Sequence, residues 1–118
     1  FSLMGHGAEM AQGSSVTLEI DTKQAAIIPE ALELARMGIL PEGMYRNRSF
    51  AEKMVDAGDV ELAVQDVLYD PQTAGGLLIA VDEADADAME RELRDAVPAC
   101  QRIGRVREYD GRAYIRLH

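Results

Sequence analysis

Apolar positions recur along this chain at two spacings, and the alternation between them sets out the elements. Phe1 to Gln12 carries Phe1, Met4, Ala8 and Ala11 on one stripe, which predicts a helix. Gly5 and Gly7 interrupt it at a cost of roughly 1 kcal/mol each against Ala, so they point to close approach by another backbone or a ligand. Gly13-Ser14-Ser15 breaks the helix, and Val16 to Ile20 alternates as a short strand. Ile27 to Met37 predicts a second helix. Pro29 suits its first turn, Leu32 and Ala35 share a face with Ile28, and Gly38 suits a left-handed cap. Residues 41–49, with Gly43, Tyr45, Arg46, Asn47 and Arg48, read as a loop, and 50–55 as one or two helical turns. Asp59 is placed to cap a helix from Val60 to Tyr69 that turns Val60, Val64, Val67 and Leu68 inward.

A turn-forming run, Asp70-Pro71-Gln72-Thr73-Ala74-Gly75-Gly76, leads into Leu77-Leu78-Ile79-Ala80-Val81. A continuous apolar run bounded by glycine predicts a buried central strand. Glu83 to Val97 is the clearest helix: Ala86, Met89, Leu93 and Ala96 line one face, acids crowd its start, and Pro98 stops it. Arg102 to Tyr109 and Arg112 to Leu117 read as a hairpin around Asp110-Gly111. In its second strand Ala113, Ile115 and Leu117 point one way, with Arg112, Tyr114 and Arg116 opposite. This order implies an α+β fold, a mixed β-sheet packed with α-helices.

Length and composition narrow the picture. With 118 residues and no internal repeat or linker, the chain reads as a single domain, 1–118, able to bury one ordinary core. It begins inside an apolar pattern without a polar lead-in, which reads as a piece of a longer protein. A hydrophobic content of 47% argues against disorder. The net charge of −9 makes nucleic acid and anionic membrane surfaces poor partners, because both need Lys and Arg to replace counterions. A free nucleotide would also be repelled unless metal ions or a more basic domain offset the field. The lone Cys100 excludes an internal disulfide and a thiolate zinc cluster, and reads as a packed bystander. No apolar run reaches the roughly 20 residues a bilayer span needs.

The chemistry-bearing candidates are few. At 70–76 two adjacent glycines let backbone N–H groups approach an anion, with Asp70, Gln72 and Thr73 adding oxygen and amide groups. The alternative is a helix-to-strand turn of purely structural use. No Gly-Lys-Ser/Thr follows, so it is not a Walker A loop. His6 is a candidate by its residue type, and neither Glu9 nor Met10 makes a metal pair with it. Arg46-Asn47-Arg48 is a cationic cluster in an acidic chain, readable as an anion site or as a solvated loop. Asp82, Glu83, Asp85 and Asp87 lack the glycine and distal Glu of a calcium loop and fit a helix start instead. No complete set of nucleophile, base and oxyanion hole is present, so no residue is assigned as catalytic or as a metal ligand.

Two segments carry a resemblance to a known family. Phe1-Ser2-Leu3-Met4-Gly5-His6 resembles the Gly-Phe-Gly-Leu-Leu-Gly-His motif of selenophosphate synthetases, or selenide, water dikinases. Asp70-Pro71-Gln72-Thr73-Ala74-Gly75-Gly76-Leu77-Leu78 is similar to their Asp-Pro-Gln-Thr-Ser-Gly-Gly-Leu-Leu, with Ala74 where Ser is usual. The segment 28–35, Arg46-Asn47-Arg48 and Ile103-Gly104-Arg105-Val106 fit in order, so the resemblance spans essentially the whole chain.

The resemblance implies a fold like the carboxy-terminal domain of aminoimidazole ribonucleotide synthetase. It also implies a cytoplasmic enzyme that converts selenide, ATP and water to selenophosphate, AMP and phosphate. ATP and Mg2+ would lie mainly on an amino-terminal domain, which would also carry the reactive Cys or selenocysteine, its neighbouring Lys and a magnesium-binding Asp. Cys100 does not match the reactive motif. This chain's partners would be its own amino-terminal domain and the substrates ATP and selenide, in a full-length homodimer. Its candidate cleft residues are Asp70, Gln72, Thr73, Gly75 and Gly76, followed by His6 and Asn47, closing the cleft and orienting phosphates. The rival readings are another ATP-dependent enzyme of the same superfamily and a non-enzymatic interaction module.

Overall fold

The computed structural model describes all residues, 1–118. Helix α1 spans Ser2–Ser14 and strand β1 Val16–Ile20, as the apolar spacing predicts. Helix α2 is Pro29–Arg36; Gly38 follows it at a φ of +76°, with its amide donating to the Ala35 carbonyl. Helix α3 covers Glu42–Ala51 and passes through a single 3-10 turn, Glu52–Met54, into β2, Val55–Asp56. Helix α4 is Leu62–Leu68 and α5 Glu83–Ala96, and strands β3, Gly104–Glu108, and β4, Ile115–Leu117, close the chain. The α+β expectation holds: one mixed sheet of four strands, ordered β2-β4-β1-β3, with five α-helices. No helix is long and apolar enough to cross a membrane.

Strand β1 organises the sheet. It pairs antiparallel with β3, Val16 opposite Glu108 and Ile20 opposite Gly104, and parallel with β4, Leu18 opposite Ile115. β4 in turn pairs parallel with β2, Val55 opposite Ile115. Ala113, Ile115 and Leu117 all point into the core, where Ile115 is wholly buried, so the alternation read from the sequence holds. Helix α1 lies over this face with Met4, Ala8 and Ala11 at zero exposure. A Cβ on Gly7 would stand 3.2 Å from Ile115 Cδ1 and 3.7 Å from Leu18 Cδ1, so the missing side chain lets the helix meet the sheet.

Four sequence expectations are corrected. Residues 41–49 form helix α3 rather than a loop. Met44, Asn47 and Ala51 are buried at helical spacing, and tertiary burial outweighs the turn-forming character of Gly43 and Asn47. Helix α4 starts two residues after the expected position, with Glu61 rather than Asp59 at its cap, because Asp59 lies in the turn after β2. Arg102–Tyr109 and Arg112–Leu117 do not form a hairpin, since β1 sits between β3 and β4. Asp110-Gly111 still turns the chain: Gly111 takes a φ of +80°, and the Asp110 carboxylate accepts from the amides of Arg112 and Ala113. The connection must bridge two strand spacings, which a two-residue turn cannot span.

The fourth correction concerns Leu77–Val81. It is no strand, and its residues make no backbone–backbone hydrogen bond. Leu77 is 89% exposed, and only Leu78 is half-buried, reaching towards Gly7. Both edges of β1 are occupied, so the apolar run has no place beside the central strand. Helix α5 follows with the expected acidic start, Asp82 accepting from the Ala84 amide, but none of its residues is fully buried. Cys100, just beyond it, is a half-buried free thiol.

Two measurements check this arrangement. Gly7→Val should destabilise the chain by about 1–3 kcal/mol in denaturant unfolding, because added methyls meet the sheet. In hydrogen exchange the amides of Leu77–Val81 should be unprotected while those of β1 are the most protected.

Candidate functional site

The loop at 70–76 leaves α4 through a short ordered stretch, and α3 holds that stretch in place. Pro41 opens α3 and Glu42 occupies its first turn. Glu42 also pairs with Arg46 at 3.2 Å one turn on, both side chains being mostly exposed. On the inward side Asn47 is buried, and its Nδ2 donates to the Tyr69 carbonyl at 2.9 Å. Arg48 reaches across to α4, where its Nη2 pairs with the Asp66 carboxylate. The guanidinium carbon of Arg48 lies 4.7 Å from the centre of the Tyr69 ring, a cation–π placement.

These contacts concentrate on Tyr69, whose side chain is almost wholly buried. Burial raises its phenol above the ordinary value, an effect that the Arg48 charge opposes. Asp66 is also buried, and its charge is compensated by Arg48. The next contact is steric. A Cβ on Gly43 would lie 2.8 Å from Pro71 Cγ, so Pro71 packs flush on the first turn of α3.

Beyond Pro71 the chain opens to solvent. Asp70 is half-buried, whereas Gln72, Thr73, Gly75 and Gly76 are exposed. Gln72 folds back: its Nε2 stands 3.5 Å from Asp70 Oδ2, and its Oε1 lies 2.8 Å from where a Cβ on Gly75 would be. Neither glycine has a positive φ, so the left-handed step of an amide nest is not formed. Nothing lies within 4 Å of a Cβ placed on Gly76. The loop therefore presents carboxylate, amide and hydroxyl groups on an open surface with a fixed root.

With this geometry in view, the comparisons decide the family. Residues 1–115 match the family described as AIR synthase related protein, C-terminal domain. The chain belongs to that family. It is 50% identical over 95 residues, 80% of this chain and 27% of the relative, to the selenide, water dikinase of Clostridioides difficile (strain 630). Selenide, water dikinase 2 of Peptoclostridium acidaminophilum is 50% identical over 100 residues, 85% of this chain and 28% of the relative. That of Treponema denticola is 45% identical over 97 residues, 82% and 27% respectively. The chain thus spans less than a third of the length of these curated relatives.

Within this AIR synthase related domain, Asn47 is joined directly to the root of the loop. His6 is not: its Nδ1 pairs with Glu9 Oε2 at 3.5 Å, and its ring meets Phe1 edge-on at 5.8 Å. Phe1 in turn stacks on Phe50 of α3 at 4.8 Å, so α3 touches both motif segments. No group of three or more His, Cys, Asp and Glu residues is arranged to hold a metal ion. Sequence reading missed the Arg48–Asp66–Tyr69 unit. The available signal was the spacing of Met44, Asn47, Arg48 and Ala51, which places them on one helical face.

Arg48→Met should cost about 3 kcal/mol in equilibrium unfolding by leaving Asp66 buried and unpaired, whereas Arg46→Met should cost less than about 0.5 kcal/mol. A raised phenol pKa favours the folded state below the unfolded value of about 10, and the benefit is lost as pH rises through the folded value. Stability should therefore decline above about pH 10, and Tyr69→Phe should flatten that limb in a pH series of thermal unfolding.

Proposed function

We propose that this domain belongs to an enzyme that forms selenophosphate from selenide, ATP and water, releasing AMP and phosphate. In this reading the present chain is the carboxy-terminal domain of a longer two-domain protein. It closes the ATP cleft, and by itself it is inactive. The observation that carries the proposal is the loop at 70–76: Asp70, Gln72, Thr73 and the glycine pair stand open to solvent on a root fixed by α3 and α4. Relatives named selenide, water dikinase, matching most of the chain, support the reaction class.

In this reading ATP and Mg2+ lie mainly on the amino-terminal domain, and the net charge of −9, which opposes an unaccompanied nucleotide, supports that division. The loop's contribution is positioning and hydrogen bonding at the phosphates. Selenide is a substrate of the whole enzyme, a homodimer in this reading. The enzyme is placed in the cytoplasm.

AMP formation from ATP, measured with and without selenide, tests this directly. The full-length enzyme should form AMP only with selenide, and the 118-residue chain alone should form none. Asp70→Asn and Gly75→Val in the full-length enzyme should each lower the rate by about 10- to 100-fold. Selenide-independent AMP would assign another reaction of the superfamily. An unchanged rate in Gly75→Val would remove the loop from the cleft.

A further inference from the structure

Helix α3 touches the chain on both sides of the candidate site. Its Phe50 stacks on Phe1, and its Gly43 receives Pro71. Between them, Asn47 donates to the Tyr69 carbonyl at 2.9 Å, and Arg48 pairs with the Asp66 carboxylate while its guanidinium lies over the Tyr69 ring. Asp70 begins immediately after that carbonyl, so the direction in which the loop leaves α4 depends on how Tyr69 is held. The loop itself adds little order, since Gln72 to Gly76 are exposed and make no backbone–backbone hydrogen bond.

Asn47 has no freedom to meet a phosphate. It is 7% exposed, and its amide nitrogen is engaged. Arg48 is likewise committed, to Asp66 and, through Nη1, to Gln65 Oε1 at 3.4 Å. Both belong to the segment that sequence alone left open as an anion site, and both point instead at the root of the loop.

We propose that Asn47 and Arg48 are positioning residues, which fix the loop at 70–76 by pinning Tyr69 to α3. The inference rests on the loop acting at the ATP cleft and extends that reading to the groups that aim it. An exposed loop with no hydrogen-bonded ladder of its own keeps a productive geometry only if its root is rigid. A small displacement of groups that orient a reacting phosphate has a large effect on rate.

The experiment is steady-state AMP formation by the full-length enzyme with selenide, comparing Asn47→Ala, Arg48→Lys, Gly75→Val and the double variant Asn47→Ala/Gly75→Val. Asn47→Ala should lower kcat by about tenfold while KM for ATP stays within about twofold, since ATP is held elsewhere. Arg48→Lys keeps the charge beside Asp66 but loses the planar fork, and should lower kcat to a smaller extent. Because Asn47 acts through the loop, the double variant should be scarcely slower than Gly75→Val alone. A helix weakened only in stability would instead multiply the two losses.

Multiplied losses, or an unchanged kcat in Asn47→Ala beside a slowed Gly75→Val, would overturn the positioning role and leave the loop's role standing. Unchanged kcat in Gly75→Val would overturn the loop reading itself, and the positioning role with it.

Discussion

Helix α1 approaches the sheet more closely than side chains of ordinary size permit, and the remaining packing is arranged around that contact. Gly7 faces Ile115 and Leu18, while Met4, Ala8 and Ala11 are sealed at zero exposure. A small-residue stripe of this kind gains its stability from dense van der Waals contact rather than from large buried area. It also fixes which sheet face is interior. Ile20, Ile115 and Leu117 can then share one core with Met44, Ala51, Leu68 and Tyr69 from α3 and α4.

Once α1 and the sheet are joined, α3 becomes the piece that relates the two motif segments. One end meets Phe1, the other meets Pro71, and the middle anchors Tyr69. The electrostatics follow the same economy of contacts. Arg36 pairs with Glu61, Arg94 with Glu90, Arg102 with Asp87, Arg107 with Glu19 and Arg116 with Asp110. With Arg46 and Arg48 also paired, most arginines already face a carboxylate, and the loop at 70–76 is left with acidic and neutral groups.

Helix α5 and β3 stand apart from this core. None of the residues of α5 is fully buried, all of β3 is exposed, and the apolar run before α5 lies unpaired. β3 is held through its ladder with β1 and through Arg107 on Glu19, and α5 reaches the start of β3 through Arg102. The molecule thus has a densely packed half, which roots the loop, and an open half, which follows it in sequence.

Much of this was legible in the residues alone. The apolar stripe of Phe1 to Gln12, the alternation in Val16 to Ile20, and the acidic start and Pro98 stop of α5 are local signals, and each element formed where its signal lay. The two motifs were legible because their order of residue types is unusual, and the family match over residues 1–115 agrees with them. What the sequence could not carry was pairing between distant positions. Asp110-Gly111 turns the chain in either arrangement, but only the tertiary structure decides that β1 enters between β3 and β4. Leu77–Val81 has the composition of a central strand, yet β1 has two edges and both are taken. Asn47 and Arg48 look like loop polar groups until burial beside Tyr69 and Asp66 makes them helical and structural. Local propensity is a matter of tenths of a kcal/mol to about 1 kcal/mol per residue, and burial of a side chain or pairing of a buried charge exceeds it.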